Sequence, residues 1–140
     1  MKLDISRADI WAASIKDHPG GLDEKLKKLA ESGADLEFLI ARRAPNKPGT
    51  GVVFVTPIKG AKQQAVAKKV GFRKSKSLCG IRIAATDSPG LGAKVTGQIA
   101  AAGISLRGAS AARIGKKAIF NLAFDSAAKV TKAIQALKKL

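Results

Sequence analysis

The feature that most limits what this chain can fold into is a duplication. Residues 17–22 read DHPGGL and residues 87–91 read DSPGL, so Asp-x-Pro-Gly occurs twice, seventy positions apart. The same shift carries Ala30, Gly33 and Leu36 onto Ala100, Gly103 and Leu106, and Leu29 onto Ile99. Before each motif the apolar residues alternate: Trp11, Ala13 and Ile15 in one copy, Ile81, Ile83 and Ala85 in the other. Alternation with period two predicts a half-buried strand. After each motif the spacing changes to that of a helix, with Leu22, Leu26 and Leu29 on one stripe and Leu91, Val95 and Ile99 on the other. The repeated phrase therefore marks one joint, where a strand runs into a helix.

The rest of each copy follows in the same order. Gly33 and Gly103 are placed to end the helices in the left-handed conformation that glycine adopts cheaply. A second strand is predicted from Leu36, Phe38 and Ile40, and its counterpart from Ile104 and Leu106. Turns follow, a long one through APNKPGTG and a short one at Gly115-Lys116. The returning strands are GVVFVT and AIFNLAF, the latter with Phe120, Leu122 and Phe124 on one face. A second helix closes each copy. GAKQQAVAKK presents Ala61, Val66 and Val70, and SAAKVTKAIQALKKL presents Val130, Ala133, Ile134 and Leu137. GFRKSKS reads as a short strand leading into the second copy.

The predicted order is β-α-β-β-α-β, then β-α-β-β-α. This is an α+β chain of two ferredoxin-like units, each an antiparallel sheet with helices on one face, the second lacking its last strand. The division falls at residues 1–76 and 77–140. The edge left open in the second unit is expected to be covered by Lys2–Ser6 or by a partner chain. Units this small need further burial, so pairing of units and a homodimer are expected.

A strand that enters a helix through Asp-x-Pro-Gly suits an anion. Proline is tolerated in the first helical turn, and glycine lets the backbone approach closely. The first N–H groups of a helix have no partner inside it and lie at the positive end of the dipole. The N–H groups of residues 20–22 and 90–92 are thus candidates for a ligand carboxylate, with Asp17 and Asp87 as competitors that cap those groups themselves. Asp35 and Ser105, at the predicted start of the second strands, can accept from an ammonium group. An α-amino acid carries both charges.

The pattern of hydrophobic strand, Asp-x-Pro-Gly-(Gly)-Leu, helix and Ala-x-x-Gly-x-x-Leu, repeated over roughly residues 9–140, resembles the ACT domain family. The layout is similar to the small stand-alone proteins of two tandem ACT repeats. The resemblance implies a non-catalytic regulatory or sensor protein that binds a small ligand, usually an amino acid, at interfaces between ACT units. It places that ligand between the strand–helix loop of one unit and the start of the second strand of a neighbour. Carried over, the site residues are Asp17, His18, Pro19, Gly20, Gly21, Leu22, Asp35 and Leu36, and Asp87, Ser88, Pro89, Gly90, Leu91, Ser105 and Leu106. Many members carry Asn where Asp35 and Ser105 stand. A separate regulated enzyme is the expected partner.

Other chemistries find little support. GLGAKVTG, residues 90–97, lacks the third glycine of a dinucleotide fingerprint, and no P-loop is present. One His, His18, and one Cys, Cys79, make neither a zinc set nor a catalytic pair, so no metal, cofactor or catalytic residue is assigned. A lone cysteine and a start, MKLDISRAD, without an apolar stretch fit a reducing cytoplasm, and no segment is long enough to span a membrane. The alternative function is nucleic-acid binding. The net charge is +16, and residues 38–140 hold twenty Lys/Arg against Asp87 and Asp125 alone. Against it, aromatics are only 4%, too few for the base-stacking sheet of the RNA-recognition motif.

Overall fold

The structure is a computed structural model, and it describes residues 2–140. In chain order the elements are β1 (Asp4–Lys16), α1 (Gly21–Glu31), β2 (Phe38–Arg43), β3 (Thr50–Thr56), α2 (Gly60–Lys69), β4 (Arg73–Thr86), α3 (Leu91–Ala101), β5 (Gly108–Ile114), β6 (Lys117–Phe124) and α4 (Ala127–Leu137). The chain forms two compact units. The first is Asp9–Ser75; the second joins residues 2–8 to Lys76–Leu140.

In the first unit β3 lies between β2 and β1, antiparallel to both. Trp11 pairs with Val55 and Ala13 with Val53. These four side chains face one way, beneath Leu29 of α1 and Ala67 of α2, and all are buried. The inward stripe of α2 is Gln63, Val66, Ala67 and Val70, at helical spacing, whereas Ala61 is exposed. This corrects the sequence reading, which put Ala61 inside and left out Ala67. Gln63 is used at both ends of its amide: it accepts from the Lys59 N–H at 2.8 Å and donates to the Gly33 carbonyl at 3.1 Å.

In the second unit β6 lies between β5 and β4, again antiparallel to both. Ile83 pairs with Phe120, Ile81 with Leu122 and Cys79 with Phe124. Leu91, Val95 and Ile99 of α3 and Val130, Ala133 and Leu137 of α4 close over this face. Burying each of the larger aliphatic side chains contributes roughly 1.5–3 kcal/mol. Cys79 is half-buried against this core.

The front of the chain departs from the division at residue 76. Residues 2–8 belong with the second unit, where the front of β1 lies beside β4 and Leu3 and Ile5 pack on the core. Arg7 donates to the Thr131 hydroxyl of α4. The physical reason is the sheet edge beside β4, which these leading residues pair. The predicted short strand GFRKSKS and the first strand of the second copy are one continuous strand, β4, which runs through Gly80 without a turn. Its first residues, Arg73–Ser75, lie in the first unit, where Lys74 pairs with Asp9 at 3.2 Å.

Each unit thus has four strands and two helices, in the ferredoxin-like arrangement. The ends of α1, α2 and α3 are set by glycine. At Gly33, Gly71 and Gly103 the backbone is left-handed, and the N–H groups there and one residue on return to the carbonyls of the last turn. This is the double bond of the Schellman motif.

Candidate functional site

The two Pro-Gly bends have the same construction. Gly21 N–H donates to the His18 carbonyl at 3.1 Å, and Leu91 N–H to the Ser88 carbonyl at 3.2 Å. Gly20 has φ 89° and ψ −5°, and Gly90 φ 81° and ψ 5°. Proline second, left-handed glycine third and a bond from the fourth residue to the first define a type II turn. The same glycines are the N-caps of α1 and α3, and no side chain caps either helix. The competing role for Asp17 and Asp87 is therefore not the one they take.

Both carboxylates reach instead to the turn between the second and third strands. Asp17 pairs with Arg43 at 2.9 Å, and its N–H donates to the Gly49 carbonyl at 3.1 Å. Asp87 pairs with Arg113 at 3.6 Å, and its N–H donates to the Lys116 carbonyl at 2.8 Å. In each unit one aspartate ties the bend to the hairpin, once through the side chain and once through the backbone. The sequence reading missed Arg43 and Arg113. The signal was present, since the seventy-residue shift carries one onto the other.

Of the N–H groups at 20–22 and 90–92, the middle one of each set closes the turn. Those of Gly20, Leu22, Gly90 and Gly92 have no acceptor among the described residues. Gly20 and Gly90 are exposed, and a Cβ at either would meet nothing within 4 Å. The bends are open on that side. His18 is exposed, and its Nδ1 lies 2.9 Å from the Pro19 carbonyl. Pro19 and Pro89 are exposed, Ser88 is half-buried, and Leu91 is buried in the core of its unit.

Asp35, Leu36, Ser105 and Leu106 are placed differently from expectation. The second strands begin at Phe38 and Gly108, so all four residues lie in the irregular stretch before them. The Schellman turns at Gly33 and Gly103 use up the residues that would otherwise extend the strands. Asp35 and Ser105 are exposed, and Leu36 and Leu106 are half-buried against their cores. Within one unit this stretch and the bend sit at opposite ends of an eleven-residue helix. That separation is about 16 Å, so one unit does not bring the bend and Asp35, or the bend and Ser105, together.

Among the described residues no group of three His, Cys, Asp or Glu is placed to hold a metal ion. Among the described residues no helix is long and apolar enough to cross a membrane.

No protein-family model matches the chain, and no curated protein matches it in sequence. Solved structures do. A protein from Bacteroides thetaiotaomicron superposes with a TM-score of 0.77 at 17% identity, covering 98% of this chain and 89% of that one. The ligand-free regulatory subunit of aspartate kinase from Thermus thermophilus gives 0.69 at 16% identity, with 99% and 97% covered. Escherichia coli aspartokinase III in complex with aspartate and ADP gives 0.63 at 12% identity, with 98% of this chain but only 32% of the enzyme covered. At these identities the likeness concerns the fold alone, an α+β chain of two ferredoxin-like units.

Proposed function

We propose that this is a non-catalytic regulatory or sensor protein that binds a small ligand, an amino acid, at its Pro-Gly bends. The observation that carries the reading is the bend itself, built twice with the same turn, the same open N–H groups and the same Asp–Arg tie. A ligand carboxylate would take the N–H groups of Gly20 and Leu22, or those of Gly90 and Gly92. Its ammonium group would be met by Asp35, or more weakly by Ser105, from a unit of a second copy, since one unit keeps these apart. Asp17 and Asp87 act in this reading by holding the bend on the hairpin. The regulatory subunits among the structural neighbours support a regulatory role.

The mechanism is linkage. A ligand that touches two copies favours the packing in which both contacts are made, by no more than its difference in affinity for the alternatives. The homodimer, and a separate enzyme that reads its state, belong to this proposal. Thermal-shift measurement against each common amino acid tests it. A ligand at a hundred times its Kd adds about 2.7 kcal/mol, which raises Tm by several degrees for a chain this size. A flat response to every amino acid contradicts the proposal.

A further inference from the structure

The positive charge is not spread evenly over the first unit. α1 carries Asp23, Glu24 and Glu31 against Lys25, Lys27 and Lys28, and pairs them internally, Lys27 with Asp23 at 3.0 Å and Lys28 with Glu31 at 3.6 Å. α2 carries no acid at all. From residue 38 to residue 86 the chain has eleven Lys/Arg and no Asp or Glu. Lys59, the N-cap of α2, and Lys62, Lys68 and Lys69 are all exposed, and no ion pair among the described residues holds them.

Folding accounts for only half of this set. Lys68 and Lys69 lie in the last turn, where a cation complements the helix dipole. Lys59 and Lys62 lie at the opposite end, where a cation is unfavourable and an acid would help. The outward residues Ala61, Lys62, Gln64, Ala65, Lys68 and Lys69 include no aromatic and no large aliphatic side chain. A protein partner would lack the apolar anchor that dominates binding energy at such surfaces. A bilayer would lack a side chain to insert. A single strand would lack a stacking platform. What remains is a surface of charge and amide donors, with Lys62 and Lys69 about 10 Å apart along the helix.

We propose that the α2 face of the first unit binds the phosphodiester backbone of duplex nucleic acid without reading its sequence. This does not rest on the amino-acid reading, because none of the four lysines belongs to a bend. With about four phosphates engaged, the logarithm of the binding constant falls with the logarithm of salt at a slope near −3.6. Binding then weakens about 150-fold between 50 and 200 mM salt.

The test is fluorescence anisotropy with a labelled duplex of random sequence, at both salt concentrations. Three proteins are compared: the full chain, the variant Lys59→Gln/Lys62→Gln/Lys68→Gln/Lys69→Gln, and a control that removes as many cations from the second unit, Lys94→Gln/Lys116→Gln/Lys117→Gln/Lys132→Gln. All sites are exposed, so circular dichroism should report unchanged folding for each. The proposal expects the α2 variant to lose at least ten times more affinity than the control, with a shallower salt slope. Equal losses in the two variants would overturn it, as generic attraction. Absence of binding at 50 mM salt would overturn it as well. Competition by poly-glutamate as effective as by duplex, at equal charge, would overturn it in favour of an acidic protein.

Discussion

The two bends reach one backbone geometry from different residues. At the fourth position of the turn the first has Gly21 and the second has Leu91. A Cβ on Gly21 would come 2.1 Å from the Lys16 carbonyl oxygen, so only glycine fits there. Leu91 has room for a whole side chain, and that side chain lies in the core. In the first unit the corresponding apolar contact is made one residue later, by Leu22, which is half-buried. The first bend is pressed onto its own strand; the second is anchored from beneath. What both retain is the left-handed glycine, the turn bond and the aspartate tied to an arginine. These shared parts are what the proposed function uses, and the differing parts are local solutions to packing.

The sharpest way to break this comparison is at the differing position. Leu91→Ala should cost about 2–5 kcal/mol, the range for opening a cavity under a core leucine. Gly21→Ala should cost about 3 kcal/mol, for the opposite reason, because the strand must move away from the new methyl group. Denaturant unfolding measures both. A harmless Gly21→Ala would mean that the first bend is not pressed onto Lys16.

A smaller effect probes the shared glycines. Gly20→Ala and Gly90→Ala should each cost about 1–2 kcal/mol, nearly equally, because the penalty there is left-handed backbone alone, with open space around it. A large difference between the two would show that the bends are not equivalent. Gly20→Val and Gly90→Val, tested separately against any amino acid that raises Tm, should weaken the response of the bend that holds it.

The smallest effect belongs to the ties. Arg43 is 84% exposed and Arg113 70% exposed at the side chain, so each Asp–Arg pair is screened by water. Double-mutant cycles on Asp17→Asn with Arg43→Gln, and on Asp87→Asn with Arg113→Gln, should give coupling below about 1 kcal/mol, decreasing with salt. The closer pair, Asp17–Arg43, should give the larger value. Coupling well above that range would mean that the ties organise the fold and not just the bends.

Much of this architecture was legible in the residues. Pro-Gly marked the joint of strand and helix, although the proline stands in a type II turn ahead of the helix and not in its first turn; the helix ends were implied by Gly33, Gly71 and Gly103, and the inward faces by the alternation of Ile81, Ile83, Phe120 and Leu122. Local geometry and burial both follow from short-range spacing, which a sequence displays directly. What was hidden depends on residues far apart in the chain. The open edge of the second unit pointed to Lys2–Ser6 or to a partner chain, and the sequence did not choose between them; the folded pairing of β1 beside β4 does. Arg43 and Arg113 are ordinary exposed cations until the hairpin folds back to Asp17 and Asp87. The strand starts at Phe38 and Gly108 came later than periodicity suggested, because the glycine caps consume residues whose apolar pattern still looks extended. The bends were therefore legible as joints of strand and helix, whereas the second strands begin three residues after Asp35 and Ser105.

The central claim is that the open amides of the Pro-Gly bends receive a ligand carboxylate. The most direct measurement is an amide-resolved NMR titration of the isotope-labelled protein with amino acids. The account predicts that the largest shifts fall on Gly20 and Leu22, on Gly90 and Gly92, or on both pairs, and saturate together. A saturating titration that moves amides elsewhere and leaves all four of these still would contradict it.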